Sequence, residues 1–115
     1  MPFDGTNVSS EVLLLDKMIA LLSDPTRWCK GAMVRFAPGG LDRYCVLGAL
    51  ALADGADPER GGSVWSGPAR NVLRRLNSGP PIVLFNDALD TTHADIMGHL
   101  SRVRATAIRE TGHAI

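Results

Sequence analysis

One thiol in this chain stands where chemistry could use it. Cys45 follows shortly after Asp42 at the head of Tyr44 to Ala53, ten consecutive residues without a charge. A sulfur in the first turn of a helix feels aligned peptide dipoles and free N–H groups, which favour the thiolate. With His93 as base and Asn86 or Asp87 as orienter, it would form a Cys-His-Asn arrangement for thiol-dependent catalysis. Set against this is the plainer use of such a residue, a small apolar side chain in a tight core beside Gly48 and Ala49. We expect Cys45 to be core filler, with catalysis by Cys45, His93 and Asn86 as the alternative.

Cys29, Cys45, His93 and His99 would supply four zinc donors, but neither pair has the close spacing of structural sites. His93 and His99 are six apart and do not share a helix face, so they read as solvated helix histidines. His113 reads as part of a frayed tail. No metal and no cofactor is expected.

Arg70, Arg74 and Arg75, preceded by Arg60, have no acid between Arg60 and Pro81 and make a local basic surface. Arg102, Arg104 or Arg109 folded beside it would suit an acidic or phosphate-bearing partner. Twelve basic residues are nevertheless balanced by twelve acidic ones, which removes the global pull that general nucleic-acid binders use. Six aromatic residues, none interleaved with the arginines, leave no stacking platform for single strands. Trp28, beside Gly31, reads as a plug at one end of a core. Trp65, between Gly62 and Pro68, reads as an interface anchor. The Gly61-Gly62-Ser63 segment lacks the strand and Lys-Ser/Thr context of a phosphate loop.

These residues must be positioned by a small fold. A chain of 115 residues with 45% hydrophobic and 21% charged residues is one domain that needs no staple. No positive segment followed by an apolar one opens the sequence, so no signal peptide is read. The longest charge-free run falls far short of the roughly 20 residues that cross a bilayer. Two cysteines with no export signal point to free thiols in a reducing, cytoplasmic setting.

Apolar positions Val12, Leu13, Leu15, Ile19 and Leu22 predict a first helix from Ser9 or Ser10 to about Ser23. Ala32 to Phe36 has strand character and closes in the turn Ala37-Pro38-Gly39-Gly40, with a short hairpin to Leu41–Tyr44 possible. Asp42 is expected to cap a central helix that runs to Ala53 and stops at Asp54-Gly55. Residues 55 to 63 read as a surface loop. Ser66 and Pro68 open a third helix that ends at Asn77. Ile82 to Phe85 reads as a buried strand, with Asn86-Asp87 a polar turn holding the last helix. Thr92 and Asp95 form a capping box for that helix, whose stripe is Ile96, Leu100, Val103 and Ala107. Residues 1–8 read as a loose lead-in, 9–110 as one globular domain and 111–115 as a tail.

The pieces Trp28-Cys29-Lys30-Gly31-Ala32, then Tyr44-Cys45-Val46-Leu47-Gly48-Ala49-Leu50, then Phe85-Asn86-Asp87 and a closing amphipathic helix come in a telling order. Over residues 11 to 104 the chain resembles a domain-of-unknown-function family of small proteins found mainly in bacteria and their phages. Trp28, Gly31, Cys45, Gly48, Ala49, Asn86 and Asp87 match its pattern. The resemblance implies no activity and assigns no catalytic role.

The expected architecture is a mostly helical α+β domain, with about four helices around a buried central helix and a small two- or three-stranded sheet. The expected function is non-enzymatic binding of a macromolecule, with Trp65, Arg70, Arg74 and Arg75 as carriers. The expected partner is another protein rather than nucleic acid or a membrane. A small-ligand pocket near Trp28, Cys45 and Asn86 is a third possibility.

Overall fold

A serine hydroxyl starts the chain's first helix. In the computed structural model, which describes residues 9–56 and 65–112, Ser9 accepts the Val12 amide at 3.2 Å, and α1 runs over Ser10–Leu22. Val12, Leu15, Met18 and Leu22 repeat at helical spacing and are all buried, so α1 turns one stripe inward. Asp24 ends the run by accepting the Thr26 amide at 2.9 Å, starting a single 3₁₀ turn at Pro25–Arg27.

The hairpin is real and small. β1 (Val34–Arg35) pairs antiparallel with β2 (Arg43–Tyr44), with Val34 opposite Tyr44 and Arg35 opposite Arg43. An isolated parallel bridge ties Trp28 to Tyr44. Asp42, expected to cap the next helix, instead accepts the Ala37 amide at 3.3 Å inside the hairpin loop. The strand pairing of Tyr44 delays the helix to Val46, and Cys45 becomes the N-cap residue of α2 (Val46–Ala53). Five of its eight residues are buried, and only Leu52 turns well outward, at 41% exposure.

α3 (Gly67–Leu76) follows Ser66 with Pro68 in its first turn, as its sequence predicts. The expected strand at Ile82–Phe85 is a helix, α4 (Ile82–Asp87). Asn77 accepts the Ile82 amide at 2.7 Å, and Phe85 closes the turn onto the Pro81 carbonyl at 2.9 Å. Burial follows i and i+4: Ile82 and Asn86 are 2% and 1% exposed while Val83 and Leu84 are 46% and 67% exposed. A strand would have put Ile82, Leu84 and Asn86 on one face. α5 (His93–Ala107) starts on the full Thr92–Asp95 capping box and continues as a π-helical turn at Ile108–Gly112.

The fold is α+β: five helices and one two-stranded antiparallel sheet among the described residues. α1 lies against α2, α3 and α5, and α2 in turn carries α4. Leu15, Met18, Leu50, Val72, Leu76 and Leu100 meet in one core with no exposed surface. No described helix is long and apolar enough to cross a membrane. The expected lead-in 1–8, most of the loop around Arg60 and the tail with His113 lie outside the described residues.

Candidate functional site

Asn86 is the fixed point of the molecule. Its side-chain carbonyl accepts the indole N–H of Trp28 at 2.8 Å and the Val46 amide at 3.2 Å. Its amide group donates to the Cys29 carbonyl at 3.1 Å and to Asp87 Oδ1 at 2.9 Å. All four hydrogen-bonding positions of a buried asparagine are thereby filled. Asp87 Oδ1 also accepts the Gly31 amide at 2.9 Å, where Gly31 takes a φ of +82° that side chains beyond glycine rarely adopt. Asn86 and Asp87 were expected to brace the start of α5. They instead hold segment 28–31 and the head of α2, because α4 is a helix and points them inward.

Gly48 completes this arrangement. A Cβ there would lie 1.9 Å from the Met33 carbonyl oxygen, so the loop strand packs on bare helix backbone. Cys45 donates its amide to that same Met33 carbonyl at 3.2 Å, and its sulfur accepts the Gly48 amide at 3.4 Å. Trp28, Gly31, Cys45, Gly48, Asn86 and Asp87, scattered over 60 positions of chain, are thus one connected cluster.

Beside the cluster is a cavity of about 150 Å³, lined among others by Met33, Cys45, Val46, Ile82, Asn86 and Asp87. Of the third possibility, a small-ligand pocket near Trp28, Cys45 and Asn86, the structure has a cavity beside Cys45 and Asn86 that Trp28 does not line. Cys45 is 8% exposed, and burial pushes its thiol up from the ordinary value, against the opposing help of helix amides. Cys29 is pushed up by burial and by the neighbouring Cys45 charge. Both are free thiols.

The thiol relay is not assembled. His93 places Nε2 2.6 Å from the Leu22 carbonyl and lies beside the Trp28 ring, 6.1 Å between centroids. Among the described residues no hydrogen bond joins it to Cys45. His99 similarly meets the Leu76 carbonyl at 3.0 Å. Asn86 and Cys45 do share the cavity wall, but the asparagine is fully committed.

The basic face is divided. Arg70 and Arg74 are exposed, while Arg75 bridges Glu11 at 2.6 Å and Glu110 at 2.5 Å. It lines a cleft of about 490 Å³ with Ser78, His99 and Arg102, where the two glutamates offset its charge. Trp65 is half-buried and packs against the core.

A feature that sequence reading missed lies on the outside of α4. Val83 and Leu84 face solvent, and Leu89 just beyond is 100% exposed. Lys30 props this segment from below, donating to the Ala88 carbonyl. An open groove of about 500 Å³ runs along it, lined by Pro80, Pro81, Leu84, Phe85, Ala88, Thr91 and the carboxylates Asp90 and Asp95. The signal was present in the asparagine that interrupts the apolar run four places after Ile82.

Comparison with curated proteins and with solved structures returned no match. The matched span of a family of unknown function (DUF6197) covers residues 10–106 and so includes every residue of the Asn86 cluster, and the chain belongs to that family.

Proposed function

We propose that the protein is a non-enzymatic binding module whose partner is a polypeptide segment seated along the outer face of α4. One observation carries this reading: Val83 and Leu84 stand in solvent on α4, which Asn86 holds from within, and Leu89 just past its end is fully exposed. Large apolar side chains concentrated on one rigid face mark interaction sites more often than scattered ones do. Among the described residues, the charged side chains lining the groove are Asp90 and Asp95. Two carboxylates repel phosphate, which speaks against nucleic acid and anionic lipid and favours a segment that pairs an apolar side chain with Lys or Arg.

Panning the immobilised protein against a random peptide library tests this, with selected peptides resynthesised and titrated by NMR. Enriched peptides should combine Leu, Phe or Met with a nearby basic residue and shift the α4 amides. Leu84→Asp should weaken them by at least about tenfold, and Asp90→Lys should weaken them too. A library that yields nothing above background, or peptides that bind Leu84→Asp equally well, overturns the reading.

A further inference from the structure

The two cysteines sit in matching register. Trp28 and Tyr44 form a parallel bridge, and the Cys29 amide donates to the Tyr44 carbonyl at 3.0 Å. Cys29 and Cys45 are each the next residue along, so they lie on the same side of the paired backbones, opposite Trp28 and Tyr44. Bridged strands run about 4.8 Å apart, inside the Cα separation that a disulfide spans. Both residues border one short stretch: Cys29 Sγ donates to the Ala32 carbonyl at 3.5 Å, while the Cys45 backbone amide donates to the adjacent Met33 carbonyl.

We propose that Cys29 and Cys45 are a redox pair, oxidised by hydrogen peroxide that enters the cavity beside Cys45. That cavity, of about 150 Å³ and lined by Cys45 but not Cys29, divides the roles. The Cys45 thiolate attacks one peroxide oxygen, the O–O bond breaks, and the departing hydroxide takes up a proton as water. The Cys45 sulfenic acid that results meets the Cys29 thiolate, the S–S bond forms, the S–O bond breaks, and a second water leaves. Two thiols give up two electrons and two protons, and one peroxide becomes two waters.

Closure takes the Cys45 sulfur from the Gly48 amide and the Cys29 sulfur from Ala32, at the base of the loop that Asn86 and Asp87 hold. Oxidation therefore acts on the head of α2 and on segment 28–33 together.

Hydrogen peroxide on the folded full chain, followed by thiol alkylation and intact mass, tests the pair. The expected product is monomeric, has lost two hydrogens, takes up no alkyl group, and yields a non-reduced digest linking the Cys29 and Cys45 peptides. Its rate should rise about tenfold per pH unit while thiolate remains the minor form. Cys29→Ser should stop at a Cys45 sulfenic acid that dimedone traps, and Cys45→Ser should leave Cys29 reduced. The wild-type result stands alone if either variant fails to fold. Two thiols that persist while circular dichroism reports folded protein, a link that forms only in urea, or intermolecular dimers alone would overturn the proposal.

Discussion

The Trp28 indole and the Asn86 side chain join across 58 positions of sequence through a 2.8 Å hydrogen bond. Asn86 is 1% exposed, and its loss takes the partner from every group bonded to it. Asn86→Ala strands the Trp28 N–H, the Val46 N–H and the Cys29 carbonyl. At about 1–3 kcal/mol for each unsatisfied buried group, the variant should lose roughly 3 kcal/mol or more. Trp28→Phe removes one donor and should cost about 1 kcal/mol from this bond alone, apart from packing. Urea midpoints of both single variants and the double variant check this, and the double should be less destabilised than the sum.

Gly48 and Gly98 make opposite predictions from the same substitution. Helix propensity alone would favour alanine at each by about 1 kcal/mol. At Gly48 the new Cβ meets main chain, the Met33 oxygen at 1.9 Å and carbon at 2.8 Å. That carbonyl cannot move off without breaking its bond to the Cys45 amide. Gly48→Ala should therefore destabilise by about 3 kcal/mol. At Gly98 in α5 the nearest atom is the far end of Arg102 at 3.5 Å, so Gly98→Ala should stabilise by about 0.5–1 kcal/mol. Thermal melts that rank the two the other way contradict this account of Gly48.

Much of this was legible in local signals. Ser9 and the Thr92–Asp95 box cap their helices through side-chain hydrogen bonds, Ser66 and Pro68 mark the start of α3, and the helices start where those residues say. What the sequence could not carry was decided at long range. Ile82-Val83-Leu84-Phe85 has β-branched, strand-like composition, and the Asn77 side chain on the Ile82 amide together with the reach of Asn86 to Trp28 and Val46 holds it as a helix. Cys45 displaced Asp42 as N-cap because Tyr44 pairs with Val34, and a weak sulfur acceptor gives no capping signal to read. Arg75 looked like a free cation until Glu11 and Glu110, 64 and 35 positions away, closed on it. The residues that match the family pattern were each visible, but their meeting around Asn86 was not.

Two sets of titrating groups bound the stability profile. Cys29 and Cys45 have thiols raised by burial, so above the ordinary thiol value of about 8.5 the folded state holds protons that the unfolded chain has released. Stability should fall as pH rises through that value. Asp95 behaves oppositely: the Thr92 backbone amide and hydroxyl hold its carboxyl below the usual range. Its contribution is present above about pH 3.9 and is lost as pH falls through the lower folded value. Urea midpoints across pH should flatten on the alkaline side in Cys45→Ala. Hydrogen exchange at the first turn of α5 should lose its acid dependence in Asp95→Asn.

Leu84 and Leu89 separate recognition from folding. At 67% and 100% exposure they contribute little packing, and surface changes away from special features stay within about 0.5 kcal/mol. Leu84→Ser and Leu89→Ser should therefore melt like the parent, in contrast to Ile82→Ser, whose side chain is 2% exposed and whose loss should cost about 2–5 kcal/mol. If the α4 face is a contact surface, the two exposed variants should also lose peptide affinity while keeping this stability. Matched melting curves and titrations on one set of variants read both quantities. A loss of affinity that merely tracked a loss of stability would mean that the face matters for folding and not for recognition.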